Sequence, residues 1–220
     1  MKQPMKKGET QISGKLNITK IPLFTDEVSF FTMPNHEHWK EQIHNIIKVE
    51  DNKNIHKFTT IPDREDNVKA NRTAWDSHLR YSAIGTLTDK IVEIIHSSIL
   101  QNGYDAPLLR IEDAWINWYH KDQFAMPHVH ACHIAVVYFV DTEGSSSDFI
   151  FTRKDHYRLL KKEKGNTITN THKKMNIKDG TVAFFDGAMW HSVSPNLSNK
   201  PRITFATNLL AEYHNERKEY

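Results

Sequence analysis

The hydrophobic period of this chain changes once, near residue 108, and that change limits its fold more than any other feature. Before it, apolar residues recur at helical spacing in two segments. After Pro34, "NHEHWKEQIHNIIKVE" sets Trp39, Ile43, Ile46 and Ile47 on one face behind an Asn35 cap. "AIGTLTDKIVEIIHSSILQNG" repeats the pattern through Leu87, Ile91, Ile94, Ile95 and Ile99, with Gly103 as its stop. Beyond residue 108 the apolar runs are short and of β type: "LLRIEDAWINWY", "HIAVVYFVD", "DFIFTR", "TVAFFD", "WHSVSP" and "PRITFATNLL", parted by Gly, Asp, Asn, Pro and Ser. Two helices followed by a succession of short strands predict an α+β chain with a sandwich or jelly-roll barrel in its C-terminal half.

The remaining stretches punctuate this plan. Residues 1–20 are polar and lysine-rich, which suits a loose arm or an edge strand, and "IPLFTDEVSFFTM" carries short strand-like runs. A basic insertion, "KDHYRLLKKEKGNTITNTHKK" at 154–174, interrupts the strands; loops of that length act as lids or binding loops, or are simply solvated. With Lys+Arg 29 against Asp+Glu 27, the charge is too balanced to indicate a nucleic-acid partner. One cysteine forms no internal disulfide and fits a reducing compartment. The basic N-terminus lacks the apolar stretch of a secretory signal, and no apolar run approaches the roughly 18 residues of a membrane span. The expectation is a soluble, cytoplasmic protein with no membrane association.

Chemistry concentrates at "AMPHVHACH", residues 125–133, just before a β-type run. On a strand, residues two apart share a face, so His128 and His130 can turn both imidazoles toward one ion. A third ligand should come from a neighbouring strand, and His191 in "FFDGAMWHSVSP" is the candidate. Further on, "PRITF" places Arg202 and Thr204 two apart, a guanidinium fork beside a hydroxyl suited to holding a carboxylate. Taken singly, each of these residues has a plain reading as a surface or packing group. Trp115 and Trp190 read as packing, Cys132 as a small buried apolar group. His133, at an odd offset from His128, falls on the other face.

These residues resemble a family. "YHKDQFAMPHVH", the strand after it, "DGTVAFFDGAMWHSVSP" and "RIT" are similar to the Fe(II)/2-oxoglutarate-dependent dioxygenases. The resemblance is to the phage and marine-bacterial branch related to prolyl hydroxylases. "AWINWY", "NRTAWDSHLR" and "PLFT" resemble further segments of that branch. The resemblance implies a double-stranded β-helix (jelly-roll, cupin-like) core supported by N-terminal helices. It also implies a single domain over 1–220, in which 1–105 form the arm and supporting helices and 106–212 the catalytic core. It implies Fe(II), 2-oxoglutarate and O2 as cofactor and co-substrates. His128, His130 and His191 would hold the metal, with Arg202 at the distal carboxylate of 2-oxoglutarate. Thr204 would stand beside that arginine, and Tyr138 and Asn117 would line the same pocket. The expected reaction couples 2-oxoglutarate decarboxylation to hydroxylation of an unidentified primary substrate, a peptide or protein side chain by analogy. Phage origin with expression in a bacterial host is part of the same expectation; a homodimer is a further one, with the N-terminal helices open as a lid, a dimer surface or a support for the barrel.

One position departs from the family pattern. Most members carry Asp or Glu two residues after the first histidine, giving two histidines and one carboxylate; this chain has His130 there. Three ligand sets therefore stay open: His128, His130 and His191; His128 and His191 with a carboxylate from elsewhere or water; or His120 and Asp122 of "HKD" with His191. Three neutral imidazoles leave a divalent ion at +2 where the usual set leaves +1, which strengthens the hold on an anionic co-substrate. Two other functions also stay open: a cupin-like barrel holding Zn, Ni or Mn through three histidines without oxygenase activity, and a metal-free interaction protein.

Overall fold

Strong β propensity after residue 108 and amphipathic helices before it resolve into two packed layers of sheet with helices against one outer face. The computed structural model describes residues 9–12, 16–23, 26–52, 68–102, 108–152 and 172–212. In chain order, β1 (Glu9–Ile12), β2 (Leu16–Leu23) and β3 (Asp26–Thr32) precede α1 (His36–Asn52). Two short strands, β4 (Val68–Lys69) and β5 (Asn71–Arg72), lead to α2 (Ser77–Arg80) and α3 (Ser82–Gln101). The C-terminal half supplies β6 (Leu108–Tyr119), β7 (Phe124–His128), β8 (Ile134–Asp141) and β9 (Phe149–Thr152). It continues with β10 (His172–Met175), β11 (Thr181–Asp186), β12 (His191–Val193) and β13 (Arg202–Glu212).

The larger sheet runs β1-β2-β3-β11-β8-β13-β6-β5 and the smaller β10-β9-β12-β7-β4. Neighbouring strands pair antiparallel throughout. The expected jelly-roll architecture is the one the chain adopts. β8 shows how it is built. Val136, Tyr138 and Val140 face the helices and pack with Ile43, Leu87, Ile91 and Ile95. Ala135, Val137 and Phe139 face the smaller sheet, with Phe149, Phe151 and Phe185. Strand alternation thus splits one continuous apolar run between two cores. Burying a phenylalanine side chain such as Phe151, fully enclosed here, contributes about 2–3 kcal/mol each.

The helices follow the predicted faces: Ile43, Ile46 and Ile47 are buried on α1, and Leu87, Ile91, Ile94 and Ile95 on α3. Two details differ. Asn35 precedes α1 in left-handed backbone, φ 55°, a conformation asparagine tolerates, rather than the extended one of an N-cap. α3 closes at Asn102, whose side-chain amide donates to the Ser98 carbonyl at 2.7 Å; Gly103 lies outside the described residues. The edge-strand reading of the N-terminus agrees with β1 and β2 at the end of the larger sheet. Of the basic insertion, only 172–174 fall within the described residues, in β10. No helix among the described residues is long and apolar enough to cross a membrane.

Candidate metal centre

The smaller sheet brings two of the three histidines together directly. His128 ends β7, His191 opens β12, and the two are cross-strand partners, with ring centroids 4.4 Å apart. His130 reaches them by a different route from the one strand parity predicts, because β7 stops at His128 and His130 lies in the connection that follows. The turn after β11 holds that connection in place: His130 N–H donates to the Gly187 carbonyl at 2.8 Å and Gly187 N–H donates to the His133 carbonyl at 3.2 Å. A Cβ at Gly187 would come within 2.2 Å of the Cys132 carbonyl oxygen, so only glycine lets the two segments approach this closely. The His130 ring then stands 5.3 Å from His128 and 5.0 Å from His191, stacked on Trp115 at 5.8 Å. One ring nitrogen from each of the three histidines lies within 4.8 Å of the others, and no carboxylate joins the group among the described residues.

The other ring nitrogen of each histidine is engaged. His128 Nδ1 meets the Met126 carbonyl at 2.7 Å and His191 Nδ1 the Met189 carbonyl at 2.9 Å. A carbonyl oxygen only accepts, so both Nδ1 atoms carry the proton, and in the neutral ring the lone pair is on Nε2. His130 Nδ1 lies 2.6 Å from Asn208 Oδ1. Burial lowers the His130 pKa against the opposing pull of Asn208 and Asp113. Burial, and then the neighbouring His128 and His130, hold His191 well below the usual histidine value. The result is a cluster of converging imidazoles against an apolar wall, with Phe185 5.0 Å and Phe149 5.6 Å from the His191 ring. Neutral, converging imidazoles of fixed tautomer are what a divalent transition ion requires.

The cluster opens into a cavity of about 630 Å³ between the sheets. Its floor is the β6–β13 pairing, in which successive cross-strand partners are Arg202 with Tyr119, Thr204 with Asn117, Ala206 with Trp115, and Asn208 with Asp113. All eight line the cavity. Arg202 is 3% exposed. Its guanidinium donates once, to the Ser147 carbonyl at 3.2 Å, and lies 5.4 Å over the Phe139 ring, while its Nε has no partner. Burial lowers the Arg202 pKa and raises that of Tyr119 to about 12. A buried guanidinium with an unmet donor is a costly arrangement that an anion in the cavity would relieve.

Of the residues singled out from sequence, the cavity brings together His128, His130, His191, Arg202, Thr204 and Asn117. Tyr138 is not among them. It faces the helices and its hydroxyl meets His36 Nδ1 at 2.6 Å, because β8 presents Val137, not Tyr138, to the cavity. His120 and Asp122 sit in the turn between β6 and β7, with Asp122 at φ 64°, and neither lines the cavity. His133 Nδ1 accepts from the Ala211 backbone N–H at 3.1 Å, a structural role. Asn208, Tyr119 and Trp115 were missed as cavity groups. The signal for Asn208 was present, since it lies an even number of residues from Arg202 on the same strand.

Residues 113–208, a little under half the chain, match the family model described as "Putative 2OG-Fe(II) oxygenase". No curated protein matches. The fold is similar to that of a prolyl-4-hydroxylase from Pseudomonas putida, at 7% identity and TM-score 0.60, over 87% of this chain and 96% of that one. It is also similar to the α-ketoglutarate-dependent epimerase SnoN of nogalamycin biosynthesis, at 14% identity and TM-score 0.50, over 67% of this chain and 63% of that one. A 2OG-Fe(II) oxygenase family oxidoreductase from Burkholderia pseudomallei aligns at 15% identity and TM-score 0.44, over 58% of each chain. The chain thus spans less than two thirds of the length of those last two proteins. The matched segment carries the whole histidine cluster together with Arg202, Thr204 and Asn208 of β13.

Proposed function

We propose that this protein is an Fe(II)- and 2-oxoglutarate-dependent oxygenase that hydroxylates its substrate, with His128, His130 and His191 as the metal ligands. The observation that carries the reading is the pairing, in one cavity, of three imidazoles with their Nδ1 atoms occupied and a buried arginine with an unmet donor. The donor set fits Fe(II), for which imidazole is a suitable ligand. When bound, iron and 2-oxoglutarate supply the oxidation: O2 is consumed, 2-oxoglutarate leaves as succinate and CO2, and one oxygen atom enters a C–H bond of the substrate.

The chain's own residues position and shield. Arg202, at one end of the cavity floor, takes the distal carboxylate, and Thr204 and Asn117 flank the path from it toward the histidines. Tyr119, cross-strand from Arg202, stays protonated at neutral pH and can donate to the same carboxylate. Phe149, Phe185 and Val137 keep water from that side of the metal. On this reading 106–212 form the catalytic core and 1–105 its support within one domain, working in the cytoplasm where Cys132 stays reduced. The test is anaerobic addition of Fe(II) and 2-oxoglutarate. A weak visible charge-transfer band, followed by O2-dependent succinate release, is expected; absence of both overturns the proposal.

A second reading rests on the ligand set itself. Three histidines without a carboxylate also suit Zn, Ni or Mn in a barrel that does no oxygen chemistry. It gives Arg202 no role. Tight Zn binding with no effect of 2-oxoglutarate on the metal's spectrum would favour it.

A further inference from the structure

The acid that this chain lacks beside His128 has a counterpart one step further out. Asn208, on β13, faces His130 with its Oδ1, 2.6 Å from Nδ1, and faces Asp113 with its Nδ2, 3.3 Å from Oδ2. Asn208 and Asp113 are cross-strand partners on β13 and β6, so the arrangement is built into the register of two central strands. Donor and acceptor inventories leave it one polarity. An ionised carboxylate only accepts, so the amide nitrogen of Asn208 must face Asp113. The carbonyl oxygen must then face His130, so His130 Nδ1 must carry the proton. Its Nε2 lone pair is left for the cluster. Cys132 Sγ also points at the same oxygen, at 3.5 Å, and Trp115 stacks on the ring from the other side at an interplanar angle of 20°.

The contrast with the other two ligands gives the arrangement its meaning. His128 and His191 are fixed by carbonyls two residues earlier in the chain, Met126 within β7 and Met189 in the turn before β12. His130 lies outside a strand, and its Nδ1 meets a side chain of β13 instead. Its orientation comes from two residues distant in sequence. We propose that Asp113 and Asn208 are positioning residues for His130, a carboxylate–amide relay that sets its tautomer and aim and places negative charge two hydrogen bonds from the site where most relatives bind metal with a carboxylate. The relay rests on the proposed metal reading for its purpose, but its geometry can be tested without metal.

The experiment uses the full chain labelled with 15N at histidine. In the metal-free wild type, the His130 side-chain nitrogen signals are expected to report the Nδ1–H tautomer. Asn208→Leu is expected to give a mixture with the Nε2–H form and to weaken Co(II) binding roughly 10- to 100-fold. Asp113→Asn and Asn208→Asp should each weaken it, the first by letting the amide flip, the second by setting two carboxylates face to face. Together, Asp113→Asn with Asn208→Asp restores one donor and one acceptor with their direction reversed, the amide at 113 donating to the carboxylate at 208, which still accepts from His130 Nδ1. The double variant is expected to recover both the tautomer and most of the Co(II) affinity. An unchanged tautomer and affinity in a folded Asn208→Leu overturns the proposal. So does a folded double variant no better than the single ones. If Asn208→Leu does not fold, the double variant decides alone. Should the wild type bind no Co(II), the metal reading fails while the tautomer measurements still decide the relay.

Discussion

Two polar clusters of this molecule are finished differently. At the end of β8, the Asp141 carboxylate meets Lys200 at 2.9 Å, Lys40 at 3.2 Å and His44 at 3.1 Å. Asp179 joins it through Lys40 at 3.7 Å and accepts from the Thr142 backbone N–H at 2.6 Å and its hydroxyl at 2.7 Å. The cluster ties α1, β8 and the segment before β13 together, with both carboxylates matched by cations. In the cavity the opposite holds. Three imidazoles present lone pairs to one another, and Arg202 has a buried donor without an acceptor. A polar cluster that closes on itself stabilises the fold; one left open at considerable cost is completed by something that enters. The difference between these two clusters separates structure from function more sharply than residue type does, since both are made of ordinary charged and aromatic side chains.

The largest test of that contrast is removal of a ligand. His130→Ala should abolish stoichiometric Fe(II) or Co(II) binding while leaving the thermal midpoint of the metal-free protein close to that of the wild type. Full metal occupancy, measured by elemental analysis, would show that His130 is not a ligand. Next comes Arg202→Ala, which should leave metal affinity nearly intact but raise the 2-oxoglutarate requirement about 100-fold, the effect of about 2.7 kcal/mol. Equal losses of metal and co-substrate binding would contradict its role as an anion anchor.

The closed cluster should respond in stability alone. Asp141→Asn leaves Lys200 without its counter-charge and Lys40 with only the longer contact to Asp179, and should cost about 2 kcal/mol, read from chemical denaturation, with no change in Co(II) affinity. Burial raises the Asp141 carboxyl, but Lys200 and Lys40 outweigh it and leave the pKa below the ordinary 3.8. A depressed carboxylate contributes stability that is fully present above 3.8 and lost as pH falls through the folded-state value. The gap between wild type and Asp141→Asn should therefore hold at neutral pH and narrow below about pH 4; a constant gap down to pH 2 would remove Asp141 from the acid response. The smallest effect has the opposite sign. Arg202→Met, which removes an unmatched buried charge, should stabilise the ligand-free protein by about 1 kcal/mol, seen as a raised denaturation midpoint. Any loss of stability instead would mean that Arg202, like Asp141, belongs to the closed type.

Much of the site was legible because its spacing is local. The even offset of Arg202 and Thr204 on a strand put both on one face, and both line the cavity. The helical periodicity of α1 and α3 marked the residues they bury. Tyr138 shows where local reasoning stops. The run "IAVVYFV" is apolar on both faces, so nothing within it says which parity looks inward; pairing with β11 and β13 decides that. The placement of His130 was reached from strand parity, yet the ring arrives through a connection held by Gly187.

The sequence by itself determined the order of helices and strands, the histidines and arginine available for chemistry, and the absence of an acid at position 130. These are set by composition and short-range spacing, which each segment carries alone. Tertiary structure decided the rest: which face of β8 is the cavity wall, that His128 and His191 are cross-strand partners, and that Asp113 and Asn208 reach His130 from strands far apart in the chain. The physical reason is register. Hydrogen bonds between strands nearly a hundred residues apart fix which side chains face one another, and a shift of one residue would turn every one of them to the opposite core.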